Sequence, residues 1–140
     1  MATEILVNDG GAPARILPFT AGSAITAGYS LQMGGDGEVD TIAAADNVHP
    51  VGVALTTVSS GQVASVITGK GVVLNMMVSG TVGLGDHVAT LADGNLGPGS
   101  SSAVSVGIYI DPSGAHSGAA SMQQVLWFGL VGRKHCSTKR

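Results

Sequence analysis

Twenty-two glycines scattered through 140 residues restrict this chain more than any other feature. They recur at short intervals, and each interior glycine costs a helix about 1 kcal/mol relative to alanine, so few windows can hold a helix of average length. Between the glycines lie short runs rich in Val, Ile and Thr, several alternating apolar with polar residues: 29–33, 38–42, 51–58, 63–68, 72–78, 87–91, 104–110 and 125–131. A period of two is the signature of a strand with one buried face. The spacing predicts a mainly β chain closing a compact barrel or sandwich, and the expected fold class is a compact β-barrel or β-tulip-like domain. One helical turn is predicted at 119–124, inside a Gly- and Ser-rich connection.

The dipeptides Asp36-Gly37 and Asp93-Gly94 mark the hairpins, because glycine there accepts the positive φ that a tight reversal needs. They also reveal a repeat. Residues 21–71 and 79–129 can be laid over each other: Gly28 precedes Asp36-Gly37 by the same interval as Gly85 precedes Asp93-Gly94, and Val51-Gly52-Val53 answers to Val106-Gly107-Ile108. The predicted fold is one domain over 20–133 built from two pseudo-repeated halves, which pack as a pair to close one core.

Residues 1–19 read differently. Gly10-Gly11, Pro13 and Pro18 interrupt two apolar runs, Ile5-Leu6-Val7 and Ile16-Leu17 with Phe19. Such a segment is expected to be an extended arm, excluded from central strands, whose apolar residues are covered by a neighbouring subunit or by the body's own surface. Residues 134–140 are expected to form a loose basic tail.

Charge is scarce and uneven. Only 11% of the residues are charged, against about 25% in an ordinary soluble domain. Four of the six basic residues, Arg133, Lys134, Lys139 and Arg140, stand in the last eight positions. Residues 1–132 therefore hold Arg15 and Lys70 against nine acids, a charge of −7. A body of that sign repels phosphate backbones, which argues against a nucleic-acid partner. So little charge on so much small apolar surface points to sharing that surface with other copies, most simply as a trimer. No run of about 18 apolar residues occurs and residues 1–15 lack a leader's basic and apolar regions, so neither a membrane span nor secretion is expected. Cys136 is the single cysteine, which leaves no intrachain disulfide.

Chemistry finds little footing. His49, His87, His116 and His135 show no metal-ligand spacing. Asp86 beside His87 reads as a turn carboxylate before a strand histidine, and His135-Cys136 on a tail has nothing to hold it against a substrate. Lys70, between Gly69 and Gly71, is placed like the modified lysine of lipoyl and biotinyl carrier domains, but the Asp or Met that usually precedes that lysine is absent. No glycine-rich stretch matches a phosphate-binding loop, and the five aromatics are too scattered for a stacking platform on nucleic acid. No enzyme activity, cofactor or metal is expected.

Several phrases together resemble the small Gly-, Ala-, Val- and Thr-rich decoration or cement proteins of tailed-phage capsids. They are AGSAITAGYSL followed by GDGEV, then AAADNVHPVGVALTTVSSGQVASVITGKGVV, then SGTVGLGDHVATLADGNL with a second VGIYI. The likeness covers about 20–131, and the KHCSTKR ending has no counterpart in it. It implies a protein made in the host cytoplasm and placed on the outer capsid surface, where it bridges major capsid protein subunits at threefold or pseudo-threefold positions. It brings no catalytic residues. By comparison with lambda-like head decoration proteins, the arm would supply the capsid contact through Ile5, Leu6, Val7, Arg15, Ile16, Leu17 and Phe19. The alternatives are a virion fibre or adhesin-type binding domain and a carrier module using Lys70.

Overall fold

The computed structural model describes residues 4–9, 11, 14–34, 36–43, 50–91, 93–98 and 105–129. His49, His135, Cys136 and the predicted tail lie outside them. All regular structure among the described residues is β: β1 (Leu6–Asn8), β2 (Ile16–Thr20), β3 (Ser30–Met33), β4 (Val39–Thr41), β5 (Gly52–Ala54), β6 (Val63–Ile67), β7 (Val72–Val78), β8 (His87–Thr90), β9 (Leu96–Gly97), β10 (Gly107–Tyr109) and β11 (Ser121–Trp127).

The strands form two sheets with one topology. The first runs β2-β6-β5-β3-β4, and the second runs β7-β11-β10-β8-β9 with β1 added beside β7. In the second sheet β9 returns to β7 by a parallel pairing of Val78 with Leu96, so five strands close into a barrel. In the first, a parallel bridge between Ala21 and Val39 joins the two ends in the same way. The repeat extends to single hydrogen bonds. Gly22 N donates to Val39 O as Ser79 N does to Leu96 O, Val51 N to Leu31 O as Val106 N to Val88 O, and Leu55 N to Ser65 O as Ile110 N to Gln124 O. The duplication is therefore structural, with β2 to β6 corresponding to β7 to β11.

Three expectations change. The halves do not share one barrel, since each closes its own sheet. A cluster of Ala21, Ile25, Leu31, Val39, Ala54, Ala64 and Val66 fills the first. A larger one, including Leu74, Met76, Tyr109, Val125 and Trp127, fills the second and continues into Val53 and Ile67 of the first. Residues 121–124 of the helical turn predicted at 119–124 are instead the start of β11, because seven consecutive residues pair in register with β7 and that ladder overrides local propensity.

The third change concerns residues 1–19, which are not a separate arm. β1 pairs with β7 at Leu6–Leu74, and Asn75 fastens it further, its N donating to Ile5 O at 2.7 Å and its Nδ2 to Glu4 O at 2.6 Å. β2 pairs with β6 along all five of its residues. Gly11 (φ +89) carries the chain from one sheet to the other, and Pro18 sits where its missing N–H is harmless, on an edge strand. The breakers deny this segment structure of its own, yet two sheet edges supply the partners. The first half of the repeat accordingly begins at β2.

Candidate functional site

The hairpins are built alike. Gly37 N donates to Gly34 O and Gly94 N to Leu91 O, each glycine in the left-handed region, at φ +84 and +81. Asp36 Oδ1 accepts from Glu38 N at 3.0 Å. Asp36, followed by burial and Asp40, raises the Glu38 carboxyl above its ordinary value. The tips meet different surroundings. The second is covered, with Gly94 O accepting from Ser30 N (3.0 Å) and Ser30 Oγ (2.9 Å) of the first barrel, whereas nothing stands within 4 Å of a side chain placed at Gly37.

The histidines and acids that looked chemical have structural partners. Asp86 Oδ2 accepts from Gly83 N at 2.8 Å and holds the turn before β8. His87 is exposed, with Nδ1 2.8 Å from Ser105 Oγ. His116 is buried and places its ring nitrogens 2.9 Å from Gly80 O and 3.1 Å from Ala119 O, which ties two loops of the second barrel. Tyr109 is buried as well; its hydroxyl donates to Gly114 O at 2.6 Å, and burial and then Asp111 push its pKa up. Among the described residues no three His, Cys, Asp or Glu side chains come together in a way that could hold a metal ion. Lys70 is exposed on the turn between β6 and β7, which belong to different sheets. A carrier-domain lysine instead tips a hairpin of neighbouring strands, so the carrier reading loses its geometric basis.

Asp111 carries a testable charge effect. Partial burial opposes its ionisation, but Ser113 Oγ (2.6 Å), Ser113 N (2.8 Å) and Gln124 N (2.8 Å) all donate to it and outweigh burial, lowering its pKa. A depressed carboxyl stabilises the fold above the ordinary carboxylate range and loses that contribution as pH falls through the folded value. Asp111→Asn is expected to cost about 1 kcal/mol at neutral pH. Thermal melts in a pH series should show the gap to wild type closing on acidification, and a constant gap would count against the ionic origin.

The residues expected to contact a capsid divide by burial. Ile5 is buried in the larger cluster, Leu6 packs partly against it, and Phe19 packs partly against the smaller one. These three are held by the body. Val7, Arg15, Ile16 and Leu17 are exposed, and all but Val7 lie at the start of the β2 edge. Arg15 has φ 58, an uncommon value for a residue with a side chain, and its carbonyl accepts from Thr68 N (3.0 Å) and Thr68 Oγ1 (2.7 Å). An open groove of ≈ 580 Å³ lies between residues 4–6 of β1 and its approach and Ala27 and Leu55–Thr57 of the first barrel. Its walls are apolar apart from Glu4 and threonines, with no convergent polar groups.

Two tandem five-stranded barrels without a convergent polar centre among the described residues define a small duplicated β module. A solved structure similar to this chain is the N-terminal base of the head fibre protein gp8.5 of bacteriophage phi29, with a TM-score of 0.59, 22% identity, and coverage of 84% of this chain and 98% of that one. At that identity the likeness establishes a shared fold. No family model matches the sequence, and no curated protein matches it.

Proposed function

We propose that this chain is a non-enzymatic structural protein of a bacteriophage head, carried on the outer capsid surface as a small homo-oligomer in contact with the major capsid protein. The observation that carries the reading is the tandem-barrel fold shared with nearly the whole of a phage head fibre base. The capsid-type phrases of the sequence point the same way, and many weak contacts multiplied over a lattice suffice to hold such a protein. The exposed edge of β2, with Arg15, Ile16 and Leu17, is the contact candidate: an edge strand offers unpaired backbone groups and these side chains are partly open to solvent. A second reading, the base of a fibre or adhesin, is favoured by the function named for the structural neighbour.

Imaging virions of the phage that encodes the chain should reveal a stoichiometric protrusion on the head, and heads without it would overturn the proposal. The contact is tested by substitution, since truncation would remove β2 from its barrel. Ile16→Glu with Leu17→Glu is expected to lower occupancy about tenfold while leaving the melting temperature of the free protein unchanged. Unaltered occupancy would rule out that edge. Heads lacking the protein should withstand heat less well if it cements the shell, and equally well if it serves as a fibre base.

A further inference from the structure

The duplication leaves a contact used once and vacant once. Within the chain, the second barrel covers a face of the first. Gly94 O receives Ser30 N and Oγ, and Met77 N donates to Gly28 O at 3.1 Å. Gly28 approaches Met122 so closely that a Cβ there would lie 2.5 Å from Met122 Cε. Val53 and Ile67, paired across β5 and β6, are fully buried in the cluster that continues into the second barrel.

Each residue of this contact has an equivalent in the other half, and the described equivalents lie open. On the second barrel, Ser30 corresponds to His87, Gly28 to Gly85 and Ala27 to Leu84, and the paired Val53 and Ile67 correspond to the paired Ile108 and Leu126. His87 is exposed, Gly85 has nothing within 4 Å of a built Cβ, Leu84 is 59% exposed, and Ile108 and Leu126 are only half-buried. On the first barrel, the Gly94 tip corresponds to Gly37, and the register pair Met77–Met122 corresponds to Thr20–Val63. Gly37 is free, Thr20 is exposed and Val63 is 63% exposed. Among the described residues Val63 and Leu84 are the two most exposed large hydrophobics, and they fall on opposite members of one repeated contact.

We infer that a second copy of this chain docks head to tail, its Asp36-Gly37 hairpin and Thr20–Val63 surface seating on the Leu84–His87 and Ile108–Leu126 face of the first copy. The contact repeats between chains what joins the barrels within one. It is heterologous, so repetition generates a ring where the rotation closes and a filament where it does not. The inference deepens the homo-oligomeric part of the proposed function and is independent of where the oligomer attaches.

Light scattering on the full chain over a range of concentrations tests it. Wild type should self-associate, and Val63→Asp and Leu84→Asp should each weaken association at least about tenfold, because either buries an unpaired carboxylate in the contact. Their melts should match wild type at concentrations low enough for wild type to be monomeric, as both positions are exposed. Mixing the two variants is the directional test: each keeps the face the other has lost, so together they should form a one-to-one dimer that grows no further. A wild type that stays monomeric at high micromolar concentration, variants that retain the wild-type mass, or a mixture that remains monomeric would each overturn head-to-tail docking. Failure on virion imaging would leave this result untouched, and the reverse holds as well.

Discussion

Replacing Trp127 with alanine is expected to cost about 3–5 kcal/mol, a large share of the stability of a domain this size. Trp127 ends β11, stands in register with Val72 on one side and Gly107 on the other, and is 1% exposed. It is the largest fully buried side chain in the structure and packs with Tyr109, Leu74 and Val125 in the same cluster. Strands on both flanks fix the backbone here, so the surroundings cannot collapse far into the space left behind, and the cavity adds to the lost transfer energy. Denaturant unfolding followed by circular dichroism measures the effect without relying on the tryptophan's own fluorescence. Trp127→Phe should fall between wild type and Trp127→Ala, since an aromatic ring keeps most of the contacts. A loss below about 1 kcal/mol for alanine would mean that the second barrel is not held by this residue.

Most of the fold was legible because it rests on local signals. Alternation placed β3, β4, β6, β7 and β8 within a residue or two, and the Asp-Gly pairs placed the β3–β4 and β8–β9 hairpins. The positions that escaped were fixed by partners distant in sequence. β9 is two residues long and exists because Val78 and Thr90 flank it, so no period could announce it. β1 and β2 sit among glycine and proline, and only the uncovered edges of β7 and β6 make strands of them. Recognition of β2 as the equivalent of β7 required the parallel closures, Ala21 with Val39 and Val78 with Leu96. The surface candidates were visible as apolar residues in the sequence, but not their division into buried Ile5 and exposed Leu17. That division depends on which side of each strand its barrel closes over, and alternation cannot give it in strands so short.

Gly52→Ala and Gly107→Ala are each expected to destabilise the protein by about 3 kcal/mol, at the upper end of overpacking costs. These residues are the glycines of the two Val-Gly-Val/Ile phrases and hold equivalent places where β5 meets β6 and β10 meets β11. At Gly107 a Cβ would stand 2.7 Å from Leu126 O and 2.9 Å from Val125 Cγ1; at Gly52 it would press on Ile67 O and come within 2.7 Å of Val66 Cγ1. A carbonyl held in a sheet cannot swing aside as the end of a long side chain can, so the strands must separate and weaken the ladder across the barrel. Neither glycine has a positive φ, which makes the cost one of space and not of backbone conformation. Gly37→Ala is the control for the opposite case, with φ +84 and open surroundings, and should cost only about 1–2 kcal/mol. Because each barrel is crossed by one such strand pair, the two buried substitutions should have comparable effects. A neutral Gly52→Ala beside a costly Gly107→Ala would show that the first barrel relaxes where the second does not, and that the two halves share a topology without sharing a packing constraint.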